Sequence, residues 1–309
     1  MIPSVDVVIH NFRPGVMDKL GLGSETLRGI NSKLIYTAIS GFGTEGPMSS
    51  APAYDPIIQA HSGVAATQGK GDEPAFMRTL LCDKITGYTA CQAVTSALFL
   101  RERTGEGQHI DLSMIDSGLF FIFLDGFQNH TLLSDDHERG AMLIDILYDP
   151  WVCSDGGVII SAGSYEMQKR FLTSIDMQHL LEDERFATFE NQMRNIHVLK
   201  GLVSERCAEL TCDDMVGRLQ EVDVPCAKVM TRDEVLAQAQ LSANGTVDIY
   251  NHPIAGSSRR ILAPPLFGGE RLEPGSGAPT HGQHTTKVLE SFGMSENDIQ
   301  KLSSEGVVA

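Results

Sequence analysis

Short apolar runs bounded by turn residues alternate with stretches of helical period through the first third of the chain. Residues 5–9 (VDVVI) form such a run, the signature of a strand buried in a parallel sheet. Beyond it, Pro14 suits the first turn of a helix, and Ser24 introduces a second helix over 25–30. Residues 34–40 are the next strand, so the order is βαβ and predicts a parallel sheet covered by helices. A strand end is read at 77–81. From 84 to 103 the residues Ile85, Tyr88, Cys91, Val94 and Leu98 recur at helical spacing, and Gly105 stands where such a helix stops. Residues 108–113 alternate as a strand, and 114–127 resume helix.

The pattern then changes. Residues 129–145 are polar and irregular, and 134–140 read as a linker. Residues 151–153 and 158–160 flank Ser154-Asp155-Gly156-Gly157, a hairpin signal. Helical segments are read at 165–175, 191–210, 212–221 and 232–240, the last opened by the capping box Thr231-x-x-Glu234. A strand at 224–230 separates the last two, and further strands are expected at 245–252 and 260–263. Two helices end the chain, the second opened by Ser295-x-x-Asp298.

Composition narrows the function classes. The 309 residues suffice for about two domains, and 42% hydrophobic with 21% charged residues is globular composition. Lys and Arg number 24 against 40 Asp and Glu, a net charge of −16. That balance opposes non-specific binding of nucleic acid or of an anionic membrane, and an anionic ligand needs a local basic pocket. The apolar run from Leu119 to Leu124 is far short of the roughly 18 residues of a membrane span, and no secretory signal is readable. Six scattered cysteines without a CxxC pair suit reduced thiols and a cytoplasmic location.

Three features carry candidate chemistry. Asn11-Phe12-Arg13-Pro14-Gly15 follows a strand, where free backbone N–H groups favour a phosphate or carboxylate and Arg13 and Lys19 add charge. The same residues also read as an ordinary strand-to-helix turn. Asp83 stands at the mouth of a helix, either as its N-cap or as an ionised carboxylate able to act as a covalent nucleophile. His281 and His284 are three apart, but no partner is spaced to complete a zinc ligand set, so no metal is expected. No G-x-S-x-G, P-loop or H-E-x-x-H occurs. Gly41-Phe42-Gly43-x-x-Gly46 mimics a dinucleotide fingerprint, with Pro47 and a long loop where its helix would begin.

Several longer strings, in order, carry a resemblance. Residues 6–17 (DVVIHNFRPGVM), 34–47, Tyr54-Asp55, 83–87 (DKITG), 101–108 (RERTGEGQ), Val224-Pro225-Cys226 and Gly282-Gln283-His284-Thr285 resemble the successive signatures of the class III CoA-transferases. That family, also called CaiB/BaiF-type, includes formyl-CoA transferase, carnitine CoA-transferase and the 2-methylacyl-CoA racemases. The resemblance implies an α/β fold: a Rossmann-like large domain with a parallel sheet over 1–135, a small α+β domain over 145–249, and a return of 250–309 to the large domain. It also implies an interlocked homodimer. Family members carry a further stretch before this point, so Met1 is expected to be an internal start.

By the same resemblance, Asp83 falls on the catalytic aspartate that attacks an acyl-CoA thioester and then carries coenzyme A as an aspartyl thioester. Asn11, Phe12, Arg13, Lys19, Ala53, Tyr54 and Asp55 fall where family members contact coenzyme A. The substrates implied are an acyl-CoA and a carboxylic acid. Racemases place a histidine where Tyr54 stands, and an unperturbed phenol, with a pKa of about 10, is poorly matched to proton abstraction at neutral pH. Transfer is therefore favoured over racemisation. The glycine-run loop of formyl-CoA transferases is missing between 129 and 158, which argues against that substrate pair, and resemblance to the remaining family members implies a succinyl-CoA-type donor with a carboxylic acid acceptor. A non-catalytic fragment or partner chain is the rival reading from another class.

Overall fold

The buried residues Ile35, Tyr36 and Thr37 lie in the middle strand of a three-stranded parallel sheet. The computed structural model describes residues 1–69, 73–134, 136–137 and 148–309. The expected linker at 134–140 falls largely outside them, as do positions 135 and 145. The chain divides into two compact units, Met1–Asp149 and Pro150–Ala309.

In the first unit β1 (Val7–His10) pairs in parallel with β2 (Ile35–Ser40), and β2 with β3 (His109–Ser113). Parallel strands need crossovers. Between β1 and β2 these are α1 (Val16–Lys19) and α2 (Ser24–Ile30). Between β2 and β3 they are α3 (Asp55–His61), α4 (Val64–Gln68) and α5 (Leu81–Thr104). Leu27, Leu34 and Tyr36 form one core, each fully buried side chain contributing roughly 2 kcal/mol. Ile58, Val64 and Cys82 form a second, with Phe42, Ala53 and Met114 packed against it.

The long helix α5 stops as its sequence predicts. Gly105 adopts a left-handed φ of 78° and donates its N–H to the Arg101 carbonyl at 2.7 Å. Arg101 also pairs with Asp6 at 2.9 Å, tying the helix end to the approach to β1. Strand β3 runs directly into α6 (Met114–Gly126), capped by Ser113, whose Oγ accepts the Asp116 N–H at 3.2 Å. A short α7 (Gln128–Thr131) follows.

Three local expectations are corrected in this unit. No strand forms at 77–81: Leu81 already opens α5, and the backbone of Met77 and Thr79 bonds to the Gln59 side chain instead of a neighbouring strand. Gly23, not Ser24, is the N-cap of α2; a Cβ there would stand 2.0 Å from the Asp18 carboxylate. Asp83 is not the N-cap of α5. Leu80 is, and Asp83 is the third residue of the first turn.

In the second unit β4 (Trp151–Cys153), β5 (Gly156–Ile160) and β6 (Cys226–Lys228) form an antiparallel sheet. The helices α8 (Tyr165–Ser174), α9 (Phe189–Arg194), α10 (Ile196–Glu209) and α11 (Cys212–Glu221) accompany it. Phe171, Leu172, Phe186, Val203, Met215 and Leu219 fill its core. The hairpin turn carries Asp155, whose Oδ1 accepts the Cys212 N–H at 2.7 Å, so the turn also holds the head of α11. The stretch read as 232–240 is two short helices, α12 (Arg232–Leu236) and α13 (Ala239–Ala243). The Thr231–Glu234 capping box forms as read. A hairpin of β7 (Val247–His252) and β8 (Gly256–Ile261) and the helices α14 (Thr285–Ser291) and α15 (Glu296–Ser304) complete the unit.

Candidate active site

The carboxyl end of the parallel sheet, where His10, Ser40 and Ser113 close the three strands, is where α/β folds bind ligands. The heads of α3, α5 and α6 converge there. Gly41, next after β2, lets Ala53 approach so closely that a Cβ at Gly41 would lie 2.2 Å from the Ala53 Cβ. The Gly41 carbonyl accepts the Ile115 N–H at 3.1 Å, which fixes the start of α6 against the same loop.

Tyr54 is the N-cap residue of α3 and Asp55 its first residue, with Pro56 beside it fixing the helical φ. The turn sends the two side chains opposite ways. Tyr54 is 78% exposed and Asp55 only 2%. The Asp55 Oδ1 accepts Gln59 Nε2 at 2.5 Å, and its Oδ2 accepts the backbone N–H of Asp83 at 3.1 Å.

Asp83 is exposed, so its carboxyl group is not buried as a cap. Partial desolvation holds its pKa above the ordinary aspartate value, and the neighbouring Asp55 charge adds to the rise. The N-terminal turn of α5 favours an anion at this position, in opposition to the desolvation and the Asp55 repulsion. Cys82, one residue earlier, is buried, and its thiol is pushed up to about 11, first by burial and then by Asp55. It is a protonated packing group at neutral pH, and Asp83 is the exposed acidic side chain of this turn.

Asn11, Phe12, Arg13 and Lys19 are all exposed and follow β1 at the same end of the sheet. Gly15 opens α1 with a φ of 77°. A cavity of about 230 Å³ is lined by His10, Phe12, Pro14, Gly15, Tyr36 and Ser40, among others. Among the described residues, no hydrogen bond, ion pair or ring contact joins these four to Ala53, Tyr54, Asp55 or Asp83. The structure thus brings Gly41, Ala53, Asp55 and Asp83 into one connected cluster, with the Asn11–Lys19 segment following the neighbouring strand β1 of the same sheet.

Sequence reasoning missed Gln59, which holds Asp55 and the approach to α5 together. Its spacing of four from Asp55 within one helix was the available signal. His284 is the N-cap residue of α14. Among the described residues, no group of three or more His, Cys, Asp or Glu side chains is arranged to hold a metal ion. No helix among them is long and apolar enough to cross a membrane.

Known proteins give this geometry a context. The chain is 32% identical over 269 residues to the acetyl-CoA:oxalate CoA-transferase of Acetobacter aceti, an overlap of 82% of this chain and 68% of that one. It is 28% identical to an acyl-CoA transferase of Fusarium pseudograminearum, over 100% of this chain and 68% of that one. A solved CAIB/BAIF family protein from Brucella suis superposes with a TM-score of 0.79 at 30% identity, covering 94% of this chain and 76% of that one. The family model described as CoA-transferase family III matches residues 1–285, and with that match spanning both units the chain belongs to CoA-transferase family III.

Proposed function

We propose that the chain transfers coenzyme A from an acyl-CoA donor to a carboxylate acceptor, with Asp83 as the covalent carrier. The observation that carries this reading is the exposed Asp83 carboxylate, set in the first turn of α5 at the carboxyl end of the sheet and tied through its own N–H to Asp55.

The chemistry balances without a metal or a redox partner. An Asp83 carboxylate oxygen attacks the donor thioester carbonyl; the C–S bond breaks, leaving a mixed anhydride and the CoA thiolate. The thiolate attacks the Asp83 Cγ and releases the donor acid as its carboxylate, giving an aspartyl-CoA thioester. The acceptor carboxylate attacks that Cγ and expels the thiolate, which then takes the acceptor's acyl carbon and frees Asp83. Splitting the exchange in this way conserves the thioester's activation, provided that water is kept from the intermediates.

Arg13 and Lys19, with the backbone N–H groups that follow β1, are assigned to the anionic part of coenzyme A, and Ala53 and Tyr54 to the approach toward Asp83. The donor is taken to be of the succinyl-CoA type. The named relatives include succinyl-CoA:glutarate CoA-transferase of Mus musculus besides the oxalate enzyme, so succinyl-CoA with glutarate and acetyl-CoA with oxalate are the first probes. Hydroxylamine added during turnover is expected to leave a hydroxamate on Asp83, located by peptide mass analysis. Transfer that survives Asp83→Ala overturns the reading, and solvent deuterium entering the carbon next to the thioester, with no acceptor present, replaces it with racemisation.

A further inference from the structure

Asp55 is a carboxylate hidden behind an exposed one. Its side chain is 2% exposed, and its two oxygens meet Gln59 Nε2 and the Asp83 N–H. Its neighbour Tyr54 is the exposed side chain of the pair. We propose that Asp55 is a positioning residue for Asp83: its carboxylate fixes the first turn of α5 through the Asp83 N–H, and its negative charge favours the covalent states in which Asp83 is neutral. This rests on Asp83 being the nucleophile.

An Asp83 backbone held from α3 cannot shift without breaking a hydrogen bond to a buried charged acceptor, which is among the stronger hydrogen bonds a protein makes. The free Asp83 carboxylate also stands beside a like charge, whereas in the anhydride and the thioester it carries none. The repulsion therefore raises the free carboxylate relative to both acylated states, in the same sense in which it raises the pKa of Asp83. The elements packed around the head of α5 carry further titratable groups: His61 on α3, Arg78 in the approach, Cys82 and Lys84 on α5, and Asp116 and Asp125 on α6. Lys84 is turned to Thr79, its Nζ donating to the Thr79 Oγ1 at 2.6 Å. Asp55 is the charge tied directly to Asp83, its Oδ2 lying 3.1 Å from the Asp83 N, and it adds to the upward shift that desolvation begins.

The test compares pH profiles of the full chain, with succinyl-CoA and glutarate or acetyl-CoA and oxalate as probes. Asp55→Asn removes the charge but keeps a carbonyl to accept the Asp83 N–H, and Asp55→Glu keeps the charge. Asp55→Asn is expected to lower kcat about tenfold with less than about a twofold change in donor KM, and to move the acid limb of kcat/KM to lower pH. Asp55→Glu is expected to return the limb toward its original place. A merely structural role would lower the folded fraction without moving the limb. If Asp55→Asn does not fold by circular dichroism, Asp55→Ser, neutral and able to accept the same N–H, takes its place in the comparison. A limb that stays in place in the variant that folds overturns the proposal. Activity remaining in Asp83→Asn is a separate outcome, which removes the nucleophile itself.

Discussion

Gln59 and Met77, 18 positions apart in the chain, hold each other twice: the Gln59 Oε1 accepts the Met77 N–H at 2.9 Å, and the Gln59 Nε2 donates to the Met77 carbonyl at 3.1 Å. The side-chain amide stands where a neighbouring strand would. It also reaches the Thr79 carbonyl and Asp55, and it is 1% exposed. Gln59→Leu would leave the buried Asp55 carboxylate, and the part-buried Met77 N–H and Met77 and Thr79 carbonyls, short of a partner, and a partner lost at a buried group costs about 1–3 kcal/mol. A loss of about 3 kcal/mol is expected, with hydrogen exchange of residues 77–104 in urea as the measurement. The single tryptophan, Trp151, lies in the other unit, so its fluorescence serves as an internal reference. A loss below about 1 kcal/mol contradicts the clamp.

Gly41 and Ala53 set a second constraint. A methyl group at Gly41 needs the Ala53 Cβ, 2.2 Å away, to move together with the backbone that carries it, and overpacking of this kind costs about 1–3 kcal/mol. Ala53 leads through Tyr54 and Asp55 to the Asp83 N–H, so the displacement travels to the proposed nucleophile. Gly41→Ala is expected to retain its circular dichroism spectrum and lose at least about tenfold in transfer rate, since small misplacements of reacting groups are costly. Gly29→Ala is the control: it lies in α2 with nothing within 4 Å of the added carbon, and should leave transfer unchanged. Unaltered turnover in Gly41→Ala would show that the loop and the site are independent.

Much of the fold was legible because local and global signals agreed. The run at 34–40 is apolar and proves to contain the middle strand, with Ile35, Tyr36 and Thr37 at 2% exposure or less. Gly105 and the Thr231–Glu234 pair stop and start helices by chemistry that lies within a few residues. The site was legible only up to its tertiary contacts. Met77, Leu80 and Leu81 look like a strand end, and nothing nearby in sequence says that an amide on α3 will take up the backbone of Met77 and Thr79. An aspartate before a helical run reads as a cap; here Leu80 holds that place with no side-chain bond, and Asp55 supplies an acceptor from another helix. Nor does the string Tyr54-Asp55 say which side chain turns outward, because that follows from how α3 packs, through Ile58, against Val64 and Cys82.

His10 closes β1, its ring edge-to-face with Tyr36 at 5.3 Å, and its Nδ1 accepts the Phe12 N–H at 3.3 Å. Partial burial lowers its pKa below 6.5, and His109 lowers it further, against opposing pulls from Asp111 and Asp18. The sign follows from linkage: below 6.5 the unfolded chain takes up a proton that the folded chain resists. The stability contributed by neutral His10 is therefore complete above 6.5 and is lost as pH falls through the lower, folded value. Proton NMR of the His10 ring should show a midpoint below 6.5, and His109→Gln should raise that midpoint without restoring it fully, because burial is the larger cause. Protonation at Nδ1 removes the acceptor of the Phe12 N–H, so the Phe12 amide resonance should shift with the same midpoint. Calorimetric affinity for coenzyme A should weaken across that same step if Phe12 contacts it. A His10 midpoint at or above 6.5 would refute the burial argument, and a Phe12 amide that stays still through the titration would separate this histidine from the loop.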